Sequence, residues 1–351
     1  MNDLDDPGAL AAVDPHDSLG AVERTPEQWL EAITRARSCE GLPTRHGING
    51  VVYCGMGGSG VGGDILAAIA AETGSVPVTV VKGYRLPAWT GPNTLVICAS
   101  YSGTTEETIA CFDEASDRKA RIVVISTGGA LAERAASRAV AHLSPVEDLQ
   151  PRQALASLAV PALVIAEQLG LIADIAADLT ETEGVLAGRV ALYGRDVATD
   201  NNVAKQLALQ LEGRVPIIWG QEPLLGAAAV RWRTQLNENA KVAAFSNTLP
   251  ELDHNEVVGY EKDSPSIGEL AIVVLRMPGE DPRVSRRIDA TIERVGELVA
   301  TVEVSAVGES PLARLMSAVL LGDFVSVYLA VRRGVDPSPV TAIDELKRRL
   351  S

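Results

Sequence analysis

A glycine-rich segment at residues 55–64, Gly-Met-Gly-Gly-Ser-Gly-Val-Gly-Gly-Asp, constrains the fold of this chain more than any other feature. An apolar run precedes it at residues 50–54, and an Ala/Ile-rich segment follows at residues 65–71. This pattern predicts a strand, a tight turn and a helix. Such a turn brings backbone N–H groups close to an anion, and the helix N-terminus adds a partial positive charge. The segment therefore predicts a binding site for a phosphate-bearing ligand.

The glycines leave the kind of phosphate ligand open. Gly55, Gly57 and Gly60 match the dinucleotide spacing G-x-G-x-x-G, which alone is a weak signal. A dinucleotide site also expects an acidic residue at the end of the next strand, whereas the strand predicted at residues 76–81 runs into Lys82. No Gly-Lys-Ser/Thr follows the turn, so the P-loop pattern is absent. Nucleotide binding and a purely structural turn stay as alternatives.

A second cluster of small polar residues follows the strand predicted at residues 94–99. Its hydroxyl groups belong to Ser100, Ser102, Thr104 and Thr105, and a predicted helix begins directly after them. These side chains are neutral hydrogen-bond donors, and the helix N-terminus points further N–H groups the same way. A helix cap needs one such hydroxyl, so a cap alone is the simpler alternative. Two adjacent strand ends of this kind favour a small phosphate ester at the carboxyl edge of a parallel sheet.

Charge and composition argue against several other classes of protein. The 351 residues carry 31 Lys and Arg against 46 Asp and Glu, and the net charge of −15 disfavours binding to nucleic acid or to an anionic membrane. No run of 18 apolar residues predicts a membrane span, and the acidic N-terminus lacks the apolar core of a signal peptide. The cysteines have no metal-binding spacing; they are Cys39, Cys54, Cys98 and Cys111. We therefore expect a cytoplasmic protein.

Alternating strands and helices predict an α/β fold with two pseudo-repeated, three-layer halves, each a parallel sheet flanked by helices. The first set of predicted strands lies at residues 50–54, 76–81, 94–99, 121–126 and 138–143. The second set lies at residues 215–220, 242–246, 270–276 and 301–304. We expect a loosely ordered N-terminus at residues 1–24, a first domain with the phosphate site at 25–170, and a second domain with C-terminal helices at 171–351.

Two residues of the second half have the chemistry of a proton-transfer site. Glu238 lies at the end of the helix predicted at residues 226–240, where the helix dipole disfavours an anion and makes the carboxylate a better base. An exposed surface glutamate is the simpler alternative. His254 lies in a polar loop at residues 250–256, where a solvated histidine is the common case. A carboxylate base can move a proton between adjacent carbons of a sugar, and a cation such as Arg152 would stabilise the enediolate.

Together these segments resemble the bifunctional phosphoglucose/phosphomannose isomerases of archaea and some bacteria, which are built from two sugar isomerase (SIS) domains. The resemblance rests on residues 55–64, residues 100–108, Pro151-Arg152, Asn237-Glu238-Asn239 and Asp253-His254-Asn255-Glu256. It extends from about residue 25 to the C-terminus. The two phosphate-site segments are shared by SIS proteins broadly, whereas the sequences around Glu238 and His254 are more specific to this family.

The resemblance implies an aldose–ketose isomerase that acts on glucose 6-phosphate, mannose 6-phosphate and fructose 6-phosphate through an enediolate, without a metal or other cofactor. The residues implied to hold the sugar phosphate are Gly58, Ser59, Ser100, Ser102 and Thr105. Glu238 would move the proton between C1 and C2, and Arg152 would steady the enediolate. His254 and Lys347 would open the sugar ring, although Lys347 on its own reads as one charge of a solvated helix face.

The resemblance also implies a homodimer in which His254 comes from the other subunit. A sugar-phosphate-binding SIS protein without catalysis is the alternative, because it shares the phosphate site and needs neither Glu238 nor His254.

Overall fold

The chain, described here for residues 3–147 and 149–350 from a computed structural model, forms two compact units. The N-terminal unit comprises residues 24–185 and 308–315. The C-terminal unit comprises residues 3–23, 186–307 and 316–350. The first unit extends past the domain boundary expected at residue 170, because much of the helix at Ala176–Tyr193 belongs to it.

The N-terminal unit is built on a five-stranded sheet in which every pairing is parallel. Its strands are β1 Gly50–Cys54, β2 Val78–Val81, β3 Thr94–Ala99, β4 Arg121–Ile125 and β5 Ala141–Leu143, in the order β2-β1-β3-β4-β5. β1 and β3 are buried along their whole length, and their register places Cys54 beside Cys98. The two central strands therefore end side by side.

Helices cover both faces of this sheet, as the predicted three-layer arrangement requires. They are α3 Thr25–Arg37, α4 Gly57–Thr73, α5 Glu106–Asp117, α6 Gly129–Ser137 and α7 Leu155–Gln168. α7 packs against α3 and α4, and α4 contacts β1 and β2. α5 and α6 bury Phe112 and Leu131 against alternate strand residues such as Val96 and Val124. Because successive strand residues point to opposite faces, the two groups of helices lie on opposite sides of the sheet.

The C-terminal unit repeats the same topology. Its strands are β6 Val215–Gln221, β7 Phe245–Leu249, β8 Leu270–Arg276 and β9 Ala300–Ser305, all parallel and in the order β7-β6-β8-β9. This order matches β2-β1-β3-β4 of the first unit, so the predicted pseudo-repeat is confirmed. β7 begins three residues later than residue 242, because Lys241 is left-handed (φ 53°) and Asn237 Oδ1 accepts a hydrogen bond from the Ala244 N–H, which holds this stretch in a turn.

The remaining long helices are α8 Ala176–Tyr193, α9 Val203–Leu211, α10 Leu224–Glu238, α11 Pro282–Gly296, α12 Pro311–Arg333 and α13 Thr341–Leu350. Within residues 3–147 and 149–350, α12 alone has the length and apolar composition to cross a membrane. Its most apolar window is 94% buried inside the protein, which is the position of a core helix.

The N-terminal segment is ordered, contrary to expectation. It forms α1 Pro7–Val13 and α2 Ser18–Glu23. The ammonium of Lys205, which is fully buried, donates to Asp5 Oδ1 at 2.9 Å, and this hydrogen bond lowers the pKa of Asp5. Arg195 pairs with Asp17 and Glu23 at 2.7 and 2.8 Å. Buried apolar side chains complete the attachment; they are Leu4, Leu10 and Leu19. These partners lie 172 to 200 positions away in the sequence, so the segment itself gives no local sign of them.

Candidate active site

Two helices of the N-terminal unit begin where the adjacent strands β1 and β3 end. Met56 occupies the N-cap position of α4 and Thr105 that of α5, and neither side chain makes a capping hydrogen bond. The first N–H groups of a helix have no partner within the helix and attract an anion. α5 carries Glu106 and Glu107 in its first turn, whereas the first turn of α4 has no acidic residue. The N-terminus of α4 is therefore the stronger anion site of the two.

The predicted phosphate-binding hydroxyls lie within or just before the first turns of these helices, and each takes part in a hydrogen bond. Ser100 is 1% exposed, and its Oγ is 2.7 Å from Thr105 Oγ1. Ser102 is exposed, and its Oγ is 3.0 Å from Thr104 Oγ1. Ser59 is 5% exposed, and its Oγ accepts a hydrogen bond from the backbone of the neighbouring loop. The simple cap is thus the wrong explanation for Thr105, because its hydroxyl bonds to Ser100 instead.

Gly58, the second residue of α4, allows the turn that carries Arg152 to pack against the helix. A Cβ atom at Gly58 would lie 2.7 Å from the carbonyl oxygen of Pro151 and 3.1 Å from Arg152 Cα. Arg152 is 4% exposed. The structure therefore places Arg152 beside the predicted phosphate-binding residues, although it lies far from Gly58 along the chain.

The Ala/Leu-rich run that follows Pro151 and Arg152 predicts a helix from these residues to about residue 170. In the structure the two residues do not open that helix but form the centre of a turn before it. The N–H of Gln153 donates to the Gln150 carbonyl at 2.8 Å, and α7 begins only at Leu155. Proline is favoured at the second position of such a turn because its φ is already fixed near the required value. This turn presents its backbone to α4.

Replacing Gly58 with alanine should disturb this packing. The new methyl group would overlap a backbone carbonyl that cannot rotate away, so we expect a loss of about 1–3 kcal/mol in the free energy of unfolding and a higher KM for any phosphate ester bound at α4. Thermal unfolding and steady-state kinetics measure the two effects. Gly83→Ala is the matched control, since nothing lies within 4 Å of a Cβ there. Equal behaviour of the two variants would contradict the assigned contact.

The end of β2 carries a cation where a dinucleotide site would have an acid. Lys82 follows β2, and its ammonium lies 2.5 Å from Asp64 Oδ2 of α4. The two side chains are 39% and 18% exposed, so the pair contributes little to stability. Lys82 thus keeps a positive charge near α4. It also occupies the strand end at which a dinucleotide-binding fold has the acidic residue that binds the ribose.

Glu238 is the last residue of α10, as predicted, and is half-buried. The turn that follows is fastened to the C-terminal part of the chain. Asn239 is 5% exposed and donates to Ser326 Oγ of α12 at 2.9 Å, and the Lys241 ammonium donates to the backbone carbonyls of Glu238 and Pro337. The helix end that carries Glu238 is therefore held in place by side chains on both sides of the turn.

His254 ends a short 3-10 helix, Glu251–His254, and its side chain is exposed. Its neighbours fix the loop to the unit. Leu252 is fully buried, and Asp253 Oδ1 accepts a hydrogen bond from Thr291 Oγ1 of α11 at 2.9 Å. The Glu256 carboxylate accepts hydrogen bonds from the side chains of Trp219, Asn247 and Tyr260. The loop thus presents an exposed histidine from an anchored backbone.

Lys347 lies on α13, where every side chain at residues 341–349 is exposed. Glu238, His254 and Lys347 therefore belong to the C-terminal unit and lie on three different elements. The predicted phosphate-binding residues and Arg152 belong to the N-terminal unit.

Tyr101 lies between Ser100 and Ser102 and is not among the predicted site residues, but it contacts one of them. It is 8% exposed, and its N–H donates to Ser59 Oγ at 3.2 Å. The one sequence signal is a large aromatic residue within a run of small polar ones. That signal marks burial and does not reveal the partner.

Comparisons with known proteins show which fold and which family this chain resembles. A family model described as the bacterial phospho-glucose isomerase C-terminal SIS domain matches residues 200–350. A solved structure, that of a glucose-6-phosphate isomerase like protein from Thermus thermophilus, superposes with a TM-score of 0.61 over 96% of this chain and 98% of that one, at 21% identity. The structural likeness concerns the fold.

Two relatives of known name are similar over most of their length. The bifunctional phosphoglucose/phosphomannose isomerase of Thermoplasma acidophilum is 34% identical over 307 residues, which cover 86% of this chain and 89% of that one. The protein of the same name from Caldicellulosiruptor bescii is 37% identical over 332 residues, which cover 94% of this chain and 98% of that one. The chain therefore belongs to the family of bifunctional phosphoglucose/phosphomannose isomerases.

Proposed function

We propose that the protein is a hexose-phosphate isomerase that interconverts glucose 6-phosphate and mannose 6-phosphate with fructose 6-phosphate. The observation that carries the proposal is the pair of helices α4 and α5, which follow the adjacent strands β1 and β3 and begin without side-chain caps. Hydroxyl groups lie within or just before the first turns of both helices. Family membership at up to 37% identity supports the choice of hexose phosphates among phosphate esters.

The phosphate of the substrate would be held by neutral donors alone. The donors are backbone N–H groups at the start of α4 together with side-chain hydroxyls near the starts of α4 and α5. The residues concerned are Gly58, Ser59, Ser100, Ser102 and Thr105. Hydrogen bonds to a charged oxygen are stronger than those between neutral groups, so these donors suffice without a lysine or arginine on the phosphate. The phosphate then anchors the sugar, and this binding energy positions the reacting carbons.

The reaction would need ring opening, transfer of a proton from C2 to C1, and transfer of a hydroxyl proton from O2 to O1. His254 and Lys347 would assist ring opening at the ring oxygen. Glu238 would then take the proton from C2 of the aldose, and the electron pair would form the enediolate. The same carboxyl would return the proton to C1, and the hydroxyl proton would pass from O2 to O1. C2 then becomes the ketone carbonyl and C1 the hydroxymethyl carbon, with no net gain or loss of atoms.

Arg152 would stabilise the negative charge that develops on the enediolate oxygens. A fixed guanidinium contributes more in a site that excludes water than in solution, because the charge interaction is then less screened. The low exposure of Arg152, 4%, supports this role.

We further propose a cytoplasmic homodimer in which His254 of one subunit completes the site of the other. Two features support it. His254 is exposed on a loop whose backbone is anchored by Asp253 and Glu256, and Val258 in the same loop is 70% exposed. An exposed apolar side chain beside an exposed histidine fits a surface that a second subunit covers.

The direct test measures turnover of the purified protein with EDTA present. We expect fructose 6-phosphate to form from both glucose 6-phosphate and mannose 6-phosphate in coupled assays. A protein that binds these esters in calorimetric titration without turning over either one would support the non-catalytic alternative. Heat released on titration with NAD or ATP at micromolar affinity would instead support a nucleotide site.

A further inference from the structure

The hydroxyl of Tyr101 bridges two backbone groups of the loop that leads to Arg152. It donates to the Val146 carbonyl at 2.7 Å and accepts from the Leu149 N–H at 2.9 Å. The Tyr101 carbonyl accepts from both the N–H and the hydroxyl of Thr127, at 2.9 and 2.7 Å. The residue thus joins the α5 end of the site to two other loops through both its backbone and its side chain.

The same loop continues directly into the turn at residues 150–153. That turn is closed by the Gln153 N–H on the Gln150 carbonyl, and its other side packs on Gly58. The Arg152 backbone is therefore held from two sides: Gly58 of α4 limits how closely it can approach, and the Tyr101 hydroxyl holds the loop immediately before it.

We propose that Tyr101 is a positioning residue for Arg152. Its hydroxyl fixes the loop that carries the arginine relative to the phosphate-binding residues, and it acts on the reaction only through the guanidinium. This inference rests on the proposed isomerase function and assigns Tyr101 no contact with the substrate.

The arrangement predicts a separation of binding from turnover. The bond from the Tyr101 N–H to Ser59 Oγ belongs to the backbone, so it survives when the hydroxyl is removed. Phosphate binding should then persist, whereas a displaced guanidinium should stabilise the enediolate less well, and small displacements of a catalytic group have large effects on rate.

The test is Tyr101→Phe, studied with and without Arg152→Ala. We expect kcat for fructose 6-phosphate formation to fall about tenfold, because the loop that carries Arg152 loses both hydrogen bonds of the Tyr101 hydroxyl. KM should change less than about twofold, since uniform binding is retained. In the Arg152→Ala background, Tyr101→Phe should lower kcat by less than about twofold, because its effect passes through the missing guanidinium.

Tyr328→Phe is the matched control. It removes another buried hydroxyl, which donates to the Tyr193 carbonyl at 2.6 Å in the C-terminal unit, so it should lower the thermal midpoint without changing kcat. Thr127→Val is a second test variant in case Tyr101→Phe folds poorly. It removes the hydrogen bond from the Thr127 hydroxyl to the Tyr101 carbonyl and keeps the Tyr101 side chain intact. This variant should give a smaller loss of kcat that is likewise absent in the Arg152→Ala background.

Two outcomes would overturn the inference in an active enzyme: wild-type kcat in Tyr101→Phe, or a loss of the same size with and without Arg152. Absence of turnover in the wild-type protein on both aldoses is a different result. It would refute the proposed function itself, and it is seen before any variant is made.

Discussion

Glu238→Gln is expected to abolish isomerisation while hexose-phosphate binding persists. The amide has nearly the shape of the carboxylate but cannot accept a proton, so the transfer between C2 and C1 loses its base. General bases contribute about 10²–10⁴-fold to rate, and we expect kcat to fall by about 10³-fold. The proposed phosphate-binding residues lie in the other unit and keep their hydrogen bonds, so the affinity measured by calorimetry should change by less than about threefold.

Exchange of the substrate C2 hydrogen with solvent gives a second readout of the same step. In deuterated water the wild-type enzyme should introduce deuterium at the transferred position, and Glu238→Gln should not. Glu297→Gln is the control, because Glu297 also lies at the C-terminal end of a helix in the same unit, α11, and is exposed. It should keep wild-type turnover. If Glu238→Gln retained a third of the wild-type kcat, Glu238 would not be the base.

The two sheets could be predicted from the sequence because their signals are local. Apolar runs of four to seven residues between glycine and polar turns mark buried parallel strands, and the observed strands lie at or within three residues of the predicted starts. The same holds for Glu238, since the end of α10 is set by the turn that follows it.

The attachments between distant segments could not be predicted, because no local pattern encodes them. The N-terminal segment was expected to be loosely ordered, because the sequence around Asp5 does not indicate that it pairs with the buried ammonium of Lys205, 200 positions away. Pro151 and Arg152 looked like the start of a helix, whereas in the structure they form a turn whose backbone packs on Gly58. In both cases a tertiary contact overrides the local preference.

The phosphate site shows the same division between local and distant information. The hydroxyls and glycines of the proposed phosphate site could be found in the sequence, and they lie within or just before the first turns of two helices that have no side-chain cap. The role of Tyr101 could not be predicted from the sequence. The local sequence Ser-Tyr-Ser is compatible both with a hydroxyl that faces water and with one that bridges a loop. Burial and two hydrogen bonds of 2.7 and 2.9 Å distinguish the two cases.

Mixed dimers of two inactive variants are expected to recover activity if His254 acts across a subunit interface. Glu238→Gln and His254→Ala each lack one group in every site of their own homodimers. In a mixed dimer, one site receives the intact Glu238 of one subunit and the intact His254 of the other, while the second site lacks both. Random pairing in a symmetric dimer then gives about a quarter of the wild-type kcat per subunit. Coexpression with two different affinity tags isolates the mixed species, whose coupled-assay rate should be about half that of wild type.

The mixing experiment also separates the two arrangements of the loop that carries His254. Its backbone is fixed within its own subunit by the contacts of Leu252, Asp253 and Glu256. We therefore expect the loop to keep this position when subunits associate. The arrangement of the subunits then determines whether the exposed imidazole reaches the substrate of its own subunit or that of the other. Mixed dimers that remain as inactive as the parent variants would place His254 in the site of its own subunit. A fully active monomer in sedimentation would exclude donation between subunits altogether.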